Sequence, residues 1–382
     1  MRKILEMMML VAVATIAKLL FFLYRMVPFA LLTGLIFYGA RHALFAEAGD
    51  TYWWVSTLAL STLLALITHK SPAKDNPYRI YVGWLGWLEK RGDGLIAWIG
   101  TIKYFTSPYG LVEDPGSYKI RGEEVRTLID TVLRPGDILL RGFDGYLDGL
   151  MISGSGSSGG KGNHFSHAAL YLGDLHDDPD KPIVARRLQV LNDHGVWVEA
   201  SPAQMQAVRN DAKYYQPGRQ KIVHAMTKGV FTEDVLTFLR CDYVVVLRLP
   251  ERFKLTAKEM EVDQSLIKDL APDAELIRHK LLNGDSVTAA EVIDAIHLSA
   301  LGKIGACYDF QFTDAKSQNR FSCSEFVYYC FKSIHCYIGL ELATHAFLKI
   351  FFSRETITPA DIYEAAVSQK KLQVIFESES LK

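Results

Sequence analysis

Phe321-Ser322-Cys323-Ser324-Glu325-Phe326-Val327 is the stretch on which the reading of this 382-residue chain turns. Ser322 and Glu325 form the S-x-x-E pattern in which a hydroxyl and a carboxylate each satisfy a free backbone N–H at a helix start. The apolar residues Phe326, Val327, Tyr328, Tyr329 and Phe331 follow, so a helix is expected to begin at Cys323. A cysteine in a first turn faces unpaired N–H groups and the positive end of the helix dipole, which favour the thiolate that attacks carbonyl carbon. The same N–H groups can hold the oxyanion that such an attack creates. Position at a helix start is equally compatible with an inert, buried cysteine.

A thiol nucleophile needs a base, and the base needs an orienting partner on its second nitrogen. His167 lies in Ser166-His167-Ala168-Ala169-Leu170-Tyr171-Leu172-Gly173, a run that reads as a strand with His167, Ala169 and Tyr171 on one face. The small neighbour leaves room for another group to approach the ring. Glu199, in Val196-Trp197-Val198-Glu199-Ala200, is an acid inside an apolar strand, where burial without a partner would be costly. It is the sequence candidate for the orienting group. Taken singly, His167 reads as a satisfied core histidine and Glu199 as a solvent-facing edge residue; the set of three with Cys323 is harder to dismiss.

Around these residues the pattern is mixed. Residues 122–133 have helical spacing through Val125, Leu128, Ile129 and Val132, and Pro135-Gly136-Asp137 ends that helix before the apolar strand Ile138-Leu139-Leu140. Residues 195–200 and 243–249 read as further strands, and 371–376 as a last one. Helical periodicity recurs over 257–271 and 287–301, and Thr358-Pro359 has the form of a cap followed by proline at the first helical position. These elements predict an α+β fold, a small antiparallel sheet with helices packed on it. Ser153–Gly162 is a glycine-serine loop; its formal Gly-x-Gly-x-x-Gly match to a dinucleotide fingerprint is weak, because a strand rather than a helix follows it.

Gly305-Ala306-Cys307-Tyr308-Asp309 followed by Phe321–Val327 resembles the nucleophile region of the NlpC/p60 superfamily of cysteine hydrolases. His167 precedes Cys323, and this order is similar to that of the circularly permuted branch, the YiiX/YebB-like hydrolases and lecithin–retinol acyltransferase-like enzymes. Leu133–Leu140, Ser166–Gly173 and Ile357-Thr358-Pro359-Ala360-Asp361-Ile362 resemble conserved blocks of that branch, so the likeness covers about residues 118–365. It implies a circularly permuted papain-like fold with Cys323 as nucleophile, His167 as base and Glu199 as the polar third member. Asp193 and His194 are the alternatives for that third place. Tyr308 and Ser324 would line the substrate or oxyanion. The chain departs from the common pattern at Ser322, where Asp is usual, and at Cys307, where Pro is usual.

The bulk properties bound what remains. Net charge of -1 argues against a nucleic-acid partner, which would select a basic excess. The 5 cysteines are odd in number and lack a C-x-x-C pair, so neither a disulfide framework nor a zinc ribbon is indicated. His164-x-x-His167 has no completing ligand set, and no metal or other cofactor is expected. A mean hydropathy of +0.08 is high for a soluble chain, and the excess lies at the N-terminus, in apolar runs over 4–24, 28–46 and 51–68. Each approaches bilayer-spanning length. Basic residues flank the last two runs and the acidic turn Glu47–Asp50 joins them, which places the remainder of the chain on the cytoplasmic side. The expected organisation is a membrane anchor over 1–70, an aromatic interfacial linker over 71–117, and a hydrolase domain over 118–382 in a bacterial inner membrane. The bilayer and a lipid, peptide or other small acylated substrate are the expected partners. The alternatives are an inactive scaffold that binds a lipid or protein, and a peptidoglycan amidase or endopeptidase if the domain is periplasmic.

Overall fold

Short apolar segments, most of them buried along their whole length, build one six-stranded antiparallel sheet. The structure, a computed structural model, describes residues 118–382 apart from 145, 147–151, 153–160, 175–187, 193–196, 257–276, 278, 282, 310–318, 345–354 and 369–371. The expected anchor and aromatic linker therefore lie outside the described residues, as do the helix expected over 257–271 and most of the glycine-serine loop. Among the described residues no helix is long and apolar enough to cross a membrane.

The strands of the main sheet are β1 (Ile138–Gly142), β2 (His167–Asp174), β5 (Gln220–Met226), β6 (Gly229–Asp234), β7 (Tyr243–Arg248) and β10 (Gln373–Glu377). Their order is β10-β7-β1-β2-β5-β6, with each neighbour antiparallel. Between β2 and β5 the chain forms a separate ribbon of β3 (Gln189–Leu191) and β4 (Trp197–Glu199). The two-residue strands β8 (Cys307–Tyr308) and β9 (Arg320–Phe321) pair in parallel.

Alternation along the strands gives the sheet two apolar faces. One carries Leu140, Ala168, Leu170, Val223 and Val245, and packs against α4 (Ala289–Leu301) and α5 (Cys323–Cys330). The other carries Leu139, Ala169, Tyr171, Ile222 and Val246, and is covered by α3 (Val235–Phe238) and the segment that opens the described region. That segment starts as α1 (Gly122–Thr127) and widens into a π turn over Leu128–Val132, where the Leu133 N–H reaches the Leu128 carbonyl at 2.9 Å. Further helices are α2 (Pro202–Asn210), α6 (His335–Ile338) and α7 (Pro359–Val367).

The α+β architecture follows the sequence pattern, with two differences. The hairpin β5–β6 extends the sheet beyond the strands the sequence marks. The segment around Glu199, expected as part of the sheet, pairs instead with β3 on the ribbon. The hairpin turns through Thr227-Lys228, and Gly229 has φ +102°. A Cβ there would lie 2.3 Å from the Ala306 carbonyl oxygen, so only glycine lets the hairpin tip pair with the chain leading into β8. The Val230 and Gly305 N–H groups then donate to the Ala306 and Val230 carbonyls, at 2.9 and 2.8 Å.

Asp137, fully buried just before β1, ties the start of that strand to the end of its antiparallel neighbour β7. It accepts from Arg248 Nε and Nη2, both at 2.7 Å, and from the Arg134 N–H at 2.8 Å. The Arg248 guanidinium also donates to the Val132 carbonyl at the end of the π turn. Removing one partner of such a pair strands the other charge. Asp137→Ala is expected to cost about 3–5 kcal/mol, read by denaturant unfolding against the parent chain.

Candidate functional site

α5 begins where its cap dictates. The Ser322 hydroxyl accepts from the Glu325 N–H at 3.3 Å, and Glu325 Oε2 accepts from the Ser322 N–H at 3.0 Å. The box is buried, and the other carboxylate oxygen of Glu325 accepts from the Thr356 hydroxyl at 2.8 Å. Burial, with the neighbouring charge of Asp309, pushes the Glu325 carboxyl up to about 7. The cap thus fixes Cys323 as the first helical residue, with its side chain only 3% exposed.

The sulfur meets β2 edge-on. Cys323 Sγ lies 4.0 Å from the Ser166 carbonyl oxygen and 3.7 Å from the Ser324 hydroxyl. The N–H groups of Ala168 and Ser324 also point at it. These donors favour the thiolate, but burial acts in the opposite direction and prevails, so the thiol is raised above its ordinary value of 9.0. The expectation that a helix start would make Cys323 acidic is therefore reversed: in this closed site desolvation outweighs the dipole and the donors.

His167 is brought to the same place from the other side. The sulfur touches the backbone on both sides of it, at Ser166 and Ala168, yet no hydrogen bond joins Cys323 Sγ to the ring. Strand alternation is the reason. α5 packs on the face of Ala168 and Leu170, whereas the His167 side chain shares the face of Ala169 and Tyr171.

On that face His167 Nε2 pairs with His224 Nδ1 at 2.7 Å, and the two rings meet edge-on at 4.9 Å. Burial first, then the charge of Arg141, holds His167 well below the usual imidazole value of 6.5. His224 is held low by burial, then by His167, Arg141 and Lys228. Both rings are accordingly neutral at neutral pH.

Two buried charges complete the layer. Arg141 pairs in register with His167 across β1 and β2, donates to the Phe238 carbonyl at 2.8 Å, and lies 4.2 Å over the Phe238 ring. Glu233 Oε2 stands 3.8 Å from Arg141 Nη1 and 3.6 Å from His224 Nε2. Burial raises the Glu233 carboxyl above its ordinary value, and the charges of Arg141 and Lys228 offset only part of that rise.

Glu199 is not part of this assembly. It is exposed on β4, and its carboxylate makes no hydrogen bond or ion pair among the described residues. An acid in an apolar strand is costly only where its side chain is buried, and Trp197–Glu199 belongs to a two-stranded ribbon on which both Val198 and Glu199 are exposed. Asp193 and His194 lie outside the described residues. Ser324 is buried beside the sulfur, while Tyr308, half-buried on β8, pairs in register with Phe321, two residues before Cys323.

The residue that sequence reasoning missed is His224. Its signal was available: Lys221-Ile222-Val223-His224-Ala225-Met226 leads into Thr227-Lys228-Gly229 and a second apolar run, which has the form of a hairpin. Among the described residues no cluster of His, Cys, Asp and Glu is arranged to hold a metal ion. Comparison with protein-family models, with curated proteins and with solved structures gives no match.

Two outcomes separate the cap and the ribbon. Ser322→Ala should lower stability by about 1 kcal/mol, the worth of a helix cap, measured by thermal or denaturant unfolding. Glu199→Gln should shift stability by less than about 0.5 kcal/mol and leave Cys323 alkylation by iodoacetamide, followed by mass spectrometry, at the parent rate.

Proposed function

We propose that the protein is a thiol-dependent acyl hydrolase or acyltransferase in which Cys323 is the nucleophile, His167 the base and His224 the group that orients the base. The observation that carries this reading is the meeting of the Cys323 sulfur with the backbone on both sides of His167, whose ring is in turn hydrogen-bonded to His224. The likeness of the nucleophile segment to the permuted NlpC/p60 branch supports it, and with it a circularly permuted papain-like arrangement of the sheet and α5.

A neutral thiol beside a neutral imidazole favours general-base catalysis over a standing ion pair. His167 Nε2 is engaged by His224, which leaves Nδ1 to take the proton from Sγ as sulfur attacks an ester or amide carbonyl. The Ser324 N–H, and Tyr308 on the adjoining strand, are the groups assigned to the oxyanion and substrate. Collapse of the tetrahedral intermediate breaks the bond to the leaving alcohol or amine, which takes the proton back from His167. Water, or an acceptor amine or alcohol, then resolves the thioester. Because Cys323 is buried and lacks a direct bond to His167, the attack requires the Ser166–His167 end of β2 and the start of α5 to open and re-form around substrate.

The apolar N-terminal sequence favours an acylated lipid or another membrane-borne acyl donor as substrate, with the anchored domain facing the cytoplasm of a bacterial cell. The missing Cys323–His167 hydrogen bond favours a second reading, in which the same domain binds a lipid or protein without chemistry.

Incubation with a p-nitrophenyl ester and acid quenching, read by intact-mass spectrometry, separates the two. The acyl adduct is expected on the parent chain and absent from Cys323→Ala, and His167→Ala should lower its rate by about a hundredfold or more. A parent chain that is never acylated favours the binding scaffold. A pH series gives an independent check. Alkylation needs the thiolate, so a raised thiol value predicts a rate that climbs about tenfold per pH unit and does not level off below 9.0.

A further inference from the structure

Three of the buried polar atoms that lack a hydrogen bond lie together: Arg141 Nε, His224 Nε2 and Glu233 Oε2. An orphaned buried group costs about 1–3 kcal/mol, so three in one layer call for an account of what each one faces. His224 is completely buried, and Glu233 Oε2, at 3.6 Å, is the acceptor set against its Nε2. Arg141 Nη1 stands 3.8 Å from the same oxygen. We propose that Glu233 is a positioning residue: by accepting the proton of His224 Nε2 it fixes the tautomers of the His167–His224 pair, so that His167 presents a bare Nδ1 to the thiol of Cys323.

Each neutral imidazole carries one N–H and one lone pair, and the 2.7 Å contact between His167 Nε2 and His224 Nδ1 holds one proton. Two patterns are possible. If His224 Nδ1 carries that proton, His224 Nε2 turns a lone pair toward the Glu233 carboxylate, which is repulsive. His167 must then be protonated on Nδ1 and cannot accept from a thiol. If His167 Nε2 carries it, His224 donates from Nε2 to Glu233, and His167 Nδ1 is bare.

A carboxylate at Glu233 selects the second pattern; the guanidinium of Arg141, 3.8 Å away, favours that charged form and offsets part of the burial that raises the carboxyl. The same carboxylate offsets the positive charge that His167 acquires when it takes the thiol proton, through the neutral His224 ring between them. Arg141 acts against that charge, and its Nη1 is held away by the Phe238 carbonyl at 2.8 Å.

The usefulness of a bare Nδ1 rests on the acyl-transfer reading given above; the tautomers themselves do not, and the experiment separates the two. The full chain is labelled with 15N-histidine, and ring-nitrogen shifts of His167 and His224 are recorded at pH 7 for the parent, Glu233→Gln and Glu233→Val. An Arg141→Met/Glu233→Val chain is carried in parallel, because it removes both charges and stays foldable if the single valine variant does not. The expected result is an N–H at Nε2 and a bare Nδ1 on both rings in the parent. Glu233→Gln, which retains an acceptor oxygen, should keep that pattern, and both valine chains should show mixed tautomers. The rate of Cys323 acylation by the p-nitrophenyl ester should fall about tenfold or more in the valine chains, the scale on which a misplaced base costs rate. A protonated Nδ1 on His224 in the parent, or parent-like tautomers in a folded valine chain, overturns the proposal. Tautomers that behave as expected on a parent chain that is never acylated uphold the role of Glu233 and overturn the acyl-transfer reading instead.

Discussion

The burial of β2 on both faces is the constraint from which the rest of the structure follows. Each of its residues from His167 to Gly173 is buried, so neither face can be left to water and two layers must be built on it. Ala168, Leu170 and Leu172 demand an apolar layer, supplied by α5 and α4. Ala169 and Tyr171 demand a second, supplied by α3 and the opening helix with its π turn. A strand with period two cannot send successive side chains the same way. Cys323 on one layer and His167 on the other can therefore meet only at the strand's end, where Ser166 gives way to His167.

That geometry makes the His167 layer unusual in content. A guanidinium, a carboxylate and two imidazoles lie among Phe231, Phe238 and Val244, where apolar residues of similar volume would cost less. The aromatic rings partly compensate: Arg141 stacks on Phe238, and His224 lies 4.3 Å from Phe231. The remaining cost is carried by the sheet, whose backbone ladder holds all four residues in register irrespective of what their side chains prefer. A polar cluster that a rigid frame holds against its own energetics is not accounted for by stability.

How much of this was legible in the chain depended on whether the signal was local. The start of α5 was, because Ser322, Glu325 and the apolar run after them occupy one helical turn, and the cap closes as the spacing requires. Thr358-Pro359 opens α7 for the same reason, with the Thr358 hydroxyl accepting from the Asp361 N–H. β7 was legible from a run of β-branched residues, and β1 and β2 from short apolar runs bounded by turn residues. The π turn was not, since a 3.6-residue period and a widened turn bury nearly the same side chains over one and a half turns. Glu199 was misplaced because its own strand is apolar enough to suggest a core. Nothing within that strand says whether a second layer covers it.

By itself, then, the sequence determined what is written within a few residues: that a helix begins at Cys323, that His167 lies on a strand, and that the chain mixes helices with a sheet. Capping and alternation are short-range physics, and they do not depend on what lies across the molecule. The tertiary structure alone decided which groups meet. It put His224, rather than Glu199, against the His167 ring, set Glu233 and Arg141 behind it, and closed Cys323 off so that burial outweighs the donors around its sulfur. Strand order and the choice of face are set by how two apolar layers pack around β2, and a desolvation energy is a property of everything that surrounds a group.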